Sequence, residues 1–79
     1  MKSRNVCYNI KKLRELRGYT QCYMAEELKI TQGAYSLIEN GKSKLEIQRL
    51  EQIAAILNTD INTLLNLEEQ LNNKAFNKL

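Results

Sequence analysis

The side chains able to do chemistry in this chain are few. No histidine is present, which removes an imidazole base near neutral pH, a Ser-His pair and a His-ligated zinc. Cys7 and Cys22 are too few for a metal cage or for the disulfide frame of a small secreted domain, so buried or half-buried thiols in a reducing compartment are expected. The pairs Glu26-Glu27 and Glu68-Glu69 look like solvated helix faces, not acid–base dyads. No catalytic residue, metal ligand or cofactor is therefore expected, and the chain reads as a non-enzyme. What remains is electrostatic. Six basic residues (Lys2, Arg4, Lys11, Lys12, Arg14, Arg17) crowd the first 17 positions against Glu15 alone, and positive charge returns at Lys42 and Lys44. A polyanion is the obvious partner for such clusters; a merely solvated face is the alternative.

The elements that must position these groups are short. The chain has 79 residues, enough for one small domain but not for a second core or a buried cofactor pocket. With 43% hydrophobic and 27% charged residues, three Gly and no Pro, the composition is that of a folded, helix-forming domain. The start MKSRNV lacks an apolar h-region and no run is long enough to cross a bilayer, so a cytoplasmic chain without a membrane partner is expected.

Val6, Ile10 and Leu13 recur at the spacing of one helix face, and Gly18 is suited to end that helix in a left-handed conformation. Thr20 can cap a second helix with Met24, Ala25 and Leu28 inward. After the turn Lys29-Ile30-Thr31, Thr31 can cap a third from Gln32 to Asn40, followed by Gly41. Ile47, Leu50, Ile53, Ala54 and Leu57 form the apolar stripe of a fourth, with Asn58 in the left-handed position after it. Asp60 can cap a fifth with Ile61, Leu64 and Leu65 inward, and its stripe could run on through Leu67, Leu71, Ala75 and Leu79.

Two short helices joined by a three-residue turn have the form of a helix-turn-helix, whose second helix enters the DNA major groove. The run T-Q-C-Y-M-A-E-E-L-K-I-T-Q-G-A-Y-S-L-I-E-N-G-K at 20–42 resembles the lambda-repressor-like family, the phage repressor and Cro (XRE) type. The likeness extends from Ile10 through Leu65, with I-K-K-L-R, the Gly-x-Thr-Gln step at Gly18 to Gln21, I-E-N-G-K, L-E-Q-I-A and the final L-L. It implies an all-α bundle of five short helices. A helix-turn-helix domain is expected over 1–66, and the tail over 67–79 lies outside the family pattern and is expected, from its stripe, to extend helix five.

The resemblance also implies that Gln21 grips the duplex and that the start and outward side of helix three read bases. At about 100° per residue, Gln32, Gly33, Ser36, Leu37 and Asn40 share one arc, opposite Ala34, Tyr35 and Ile38. Gln32 can pair in bidentate fashion with adenine. Gly33 allows close backbone approach or is merely tolerated. Ser36 is read as a phosphate or base contact, and Leu37 either meets a thymine methyl or is a stray exposed leucine. Phosphate contacts are expected from Gln21, in the first turn of a helix whose dipole favours an anion. The Tyr35 hydroxyl, the backbone amides of Asn40 and Gly41, and Lys42 and Lys44 are the other candidates. The family pattern implies a partly buried ion pair between Arg14 and Glu39.

Four positions depart from the family pattern. Gly33 replaces a polar reader. Lys29 replaces a frequent Gly, which strains it if that backbone is left-handed. Leu45 and Glu46 replace the usual Pro and Ser or Thr, leaving the start of helix four open by a couple of residues.

The expected function is a sequence-specific double-stranded DNA-binding transcriptional regulator, a repressor acting as a homodimer on an inverted repeat. Repression is expected because so small a chain carries no effector-sensing module. Dimerisation is expected because one reading helix buries too little interface for a tight site. Leu64, Leu67, Leu71 and Ala75, beside Phe76 and Leu79, are the candidate dimer interface, unless these leucines close the monomer core. The alternative function is an interaction module or antitoxin with the same fold, whose protein partner would sit on the tail.

Overall fold

The computed structural model describes residues 3–67. Five helices follow one another: α1 (Ser3–Arg17), α2 (Gln21–Leu28), α3 (Gln32–Glu39), α4 (Ile47–Ile56) and α5 (Ile61–Leu65), with no strand among the described residues. None of α2 to α5 is long enough to be stable alone in water, so packing holds each in place. The α1 stripe Val6, Ile10 and Leu13 is buried, as are Met24, Ala25 and Leu28 of α2 and Leu50, Ile53 and Ala54 of α4. Ile10, Met24, Tyr35, Ile53, Leu57 and Leu64 are sealed from solvent at the centre. α1 packs on α3 and α5, α2 on α3 and α4, and α4 on α5.

The ends of the helices explain why such short pieces stop where they do. Thr20, Thr31 and Asp60 each cap the following helix, accepting from the N–H of Tyr23 (2.9 Å), Ala34 (3.1 Å) and Thr63 (2.7 Å). Glu46 occupies the corresponding position before α4 but makes no side-chain cap, which is why residue type left that start open. At the other end, α1 to α4 close in one manner. An amide bonds back five residues, from Tyr19 to Arg14 O (3.1 Å), Ile30 to Ala25 O (3.0 Å), Lys42 to Leu37 O (2.9 Å) and Thr59 to Ala54 O (2.9 Å). The residue inside each such loop has positive φ: Gly18 (77°), Lys29 (61°), Gly41 (72°) and Asn58 (58°). This is the Schellman closure, which consumes the orphan carbonyls of a helix end. α3 accordingly ends at Glu39, with Asn40 as its cap and not its last helical residue.

Two polar side chains tie the bundle across its elements. Asn9, buried on α1, donates from Nδ2 to Leu64 O at 2.6 Å, and Arg17 Nε donates to Leu57 O at 2.9 Å. The first holds α5 to α1 and the second holds the α4 exit to the end of α1. Leu64 and Leu67, expected at a dimer interface, are buried within the single chain. Leu64 faces the interior because the five-residue α5 spends its apolar side on the chain's own core, and Leu67, just past its end, joins the same cluster. Leu71 and Ala75, with Phe76 and Leu79, lie outside the described residues, as does the expected run of helix five beyond residue 67.

Candidate nucleic-acid interface

The turn Lys29-Ile30-Thr31 sets α3 against α2. Half-buried Ile30 anchors it to the core, and Thr31 starts the next helix. On α3, Tyr35, Ile38 and Glu39 face inward, while Gln32 and Gly33 are exposed, Leu37 is 46% exposed and Ser36 is half-buried; Asn40, the cap, is also exposed. A Cβ placed on Gly33 would meet nothing within 4 Å, so nothing in the chain's own packing demands glycine there. The outward face of α3 therefore presents one amide, one bare stretch of backbone, one hydroxyl and one aliphatic side chain.

The inward face is pinned by Glu39. Its Oε2 accepts from Arg14 Nε (2.6 Å) and from the Tyr35 hydroxyl (2.6 Å); its Oε1 accepts from Arg14 Nη2 (3.2 Å) and Gln21 Nε2 (3.1 Å). Arg14 also donates from Nη1 to Tyr19 O at 2.7 Å. One carboxylate thus joins α1, α2 and α3, and no buried side-chain nitrogen or oxygen among the described residues lacks a partner. Burial alone pushes the Glu39 carboxyl upward, but the Arg14 guanidinium, with Tyr35 and Gln21, outweighs it and holds the group below its ordinary 4.5. Glu39 in turn stabilises the Arg14 cation, and burial, reinforced by the Glu39 bond, drives the Tyr35 phenol far above its usual range.

Past α3, the chain turns through Gly41 into exposed Lys42 and Lys44. The Asn40 amide donates to Ser36 O at 3.0 Å and the Gly41 amide to Ile38 O at 3.1 Å. The Asn40 side chain donates from Nδ2 to Ser36 Oγ at 3.4 Å.

A helix-turn-helix family model matches residues 10–64 of the 79. The chain belongs to the helix-turn-helix family. Its type is XRE, lambda repressor and Cro-like, a family of DNA-binding regulators. Neither the curated proteins nor the solved structures yield a match.

Within this helix-turn-helix domain the candidate residues separate into two groups. Gln32, Gly33, Ser36 and Leu37 lie together on the open side of α3, and Lys42 and Lys44 stand free beyond it. Tyr35 does not belong with the phosphate candidates. Its ring is sealed in the core and its hydroxyl is spent on Glu39, so reaching a phosphate would strip a bond from a buried carboxylate. The Asn40 and Gly41 amides are likewise committed, because closing α3 uses them. Gln21 is tied into the junction by a contact unseen in the sequence: one N–H of its amide is held by Glu39, while its carbonyl oxygen and second N–H stay uncommitted. Arg14 and Glu39 meet as a bidentate pair. Among the described residues no cluster of His, Cys, Asp or Glu could hold a metal, and no helix is long and apolar enough to cross a membrane.

Proposed function

We propose that this chain is a sequence-specific double-stranded DNA-binding repressor that occupies an inverted-repeat operator as a homodimer. The observation that carries the reading is the division of α3 into a bonded inner face and an open outer face that begins with Gln32. In the major groove that face offers Gln32 to adenine, Leu37 to a thymine methyl, Ser36 to a base or phosphate, and the bare backbone of Gly33 to close approach. Gln21, Lys42 and Lys44 flank it and hold the phosphate backbone, which fixes register without reading sequence. Occupancy of a promoter is enough to repress, so the reading asks no chemistry of the domain beyond binding. Pairing two copies doubles an interface that a single eight-residue helix leaves small for a tight site. With Leu64 and Leu67 spent in the core, the segment holding Leu71 and Ala75 carries the pairing in this reading.

In vitro selection of the purified protein against a random duplex pool at moderate salt tests it. Enrichment of a two-fold symmetric motif with half-site centres about 34 Å apart is expected. A folded protein that enriches nothing would overturn the reading in favour of an interaction module or antitoxin whose partner is another protein.

A further inference from the structure

Outside the reading face, a groove on α1 is left unexplained by the fold or by α3. It lies between α1 and the exit of α3, has a volume of about 230 Å³, and is lined by Cys7, Tyr8, Lys11, Glu39, Asn40 and Gly41. Its walls differ in character. Cys7 forms the buried back, close enough that a Cβ on Gly41 would lie 3.9 Å from its sulfur. Tyr8, 63% exposed, and Lys11, also exposed, form the lip. An aromatic ring that far out of the core contributes little to packing. Lys11 has no carboxylate within ion-pair distance among the described residues, since Glu15, one turn further along α1, approaches Arg14 instead at 4.0 Å.

The charge balance at the groove follows from the bonds already described. Glu39 reaches it with both oxygens taken by donors and its charge matched by Arg14, so Lys11 leaves the groove net positive. Gly41, on the groove's wall, is followed in the chain by exposed Lys42, with exposed Lys44 two residues beyond, the cations proposed above to flank α3. Viewed down α1 at about 100° per residue, Cys7, Lys11 and Tyr8 fall within roughly 100° of one another, and Lys12 falls beyond them.

We propose that this groove seats a phosphate of the DNA backbone, with the Lys11 ammonium as its counter-charge and the Tyr8 hydroxyl as a hydrogen-bond donor. α1 then belongs to the DNA footprint and extends the contact past the end of α3. The inference rests on the DNA-binding reading above.

Binding of the selected duplex, measured across 50 to 200 mM salt for the unmutated chain, Lys11→Gln, Lys12→Gln and Tyr8→Phe, tests it. Each phosphate neutralised contributes about 0.9 to the slope of log K against log salt. Lys11→Gln should therefore lose about 0.9 of slope, roughly an eightfold loss of affinity at 0.1 M salt relative to 1 M. Tyr8→Phe should weaken binding about threefold or more with the slope unchanged, because it removes a hydrogen bond and no charge. Lys12→Gln should lose less slope than Lys11→Gln, and all four thermal melts should coincide. In the unmutated chain, duplex addition should shift the Tyr8 ring resonances. An unaltered slope in Lys11→Gln, equal losses in Lys11→Gln and Lys12→Gln, or a Tyr8 ring indifferent to DNA would overturn the inference while leaving DNA binding intact. A chain that binds no duplex would overturn both.

Discussion

Replacing Glu39 by glutamine isolates what the three-helix junction contributes. The substitution keeps the volume of the side chain, so no cavity opens, and it keeps one oxygen able to accept. It removes the charge that holds Arg14, whose side chain is only 10% exposed. Breaking a buried pair by removing one partner costs about 3 to 5 kcal/mol, because the remaining charge is left uncompensated. The lower end applies here, since Arg14 keeps its bond to Tyr19 O. About 3 kcal/mol is a large share of the roughly 4 to 12 kcal/mol expected for a domain of this length, and corresponds to a fall in Tm of about 12 to 24 °C. Melts followed by circular dichroism at pH 7 read it directly. Adding Arg14→Gln to Glu39→Gln removes the orphaned cation and should recover part of the loss, a coupling of about 1 to 3 kcal/mol.

The pH dependence has a definite sign. Glu39 is lowered on folding, so below its ordinary 4.5 the unfolded chain takes up the proton first. Its contribution is complete above that value and disappears as the pH falls through the folded value. The Glu39→Gln variant should therefore differ from the unmutated chain most at neutral pH and least in acid. A Tm within about 3 °C of the unmutated chain at pH 7, or a strictly additive double variant, would refute this account of the junction.

Three further outcomes are expected. Lys29→Gly should raise stability by about 1 kcal/mol, seen as a higher Tm, because a lysine at φ 61° carries the left-handed penalty that glycine escapes. An unchanged or lower Tm would mean that the turn is not strained. Gly33→Ala should stabilise the free domain by about 0.5 kcal/mol, since its Cβ meets nothing and alanine favours the helix. The same change should weaken DNA binding if the backbone of α3 approaches the bases closely, and a variant that binds as well as the unmutated chain would rule out that approach. Gln32→Ala should cost about 1 to 3 kcal/mol of discrimination at one position per half-site, read by repeating the selection with the variant; an unchanged motif would remove Gln32 from the reading face.

Most of the architecture was legible because local signals agreed with one another. The Val6, Ile10, Leu13 stripe, the capping threonines and Asp60, and the residue types at Gly18, Gly41 and Asn58 each mark an element end or face on their own. Lys29 carries no such signal by type; only its alignment with a family glycine suggested the left-handed turn that the structure contains. The misassigned contacts arose where one group had two possible partners. Tyr35 and Glu39 are four residues apart on one helix, a spacing that places their side chains together, so the loss of the hydroxyl to Glu39 was within reach of the pattern. The Gly41 closure likewise implies that nearby amides are consumed. Gln21 meeting Glu39 and Asn9 meeting Leu64 O are different in kind. They depend on how separate helices are set against each other, and no spacing along one helix encodes that.

The two-sidedness of α3 also has a consequence for how such domains diverge. Tyr35, Ile38 and Glu39 secure the helix to the rest of the molecule, while Gln32, Gly33, Ser36 and Leu37 make few of the bonds that keep it folded. Substitutions on the outer side can accumulate without drawing on the stability of the domain. An ancestral copy could thus acquire a new target a residue at a time, remaining folded at every step, and the outer side of one such helix could be transplanted onto another as a unit.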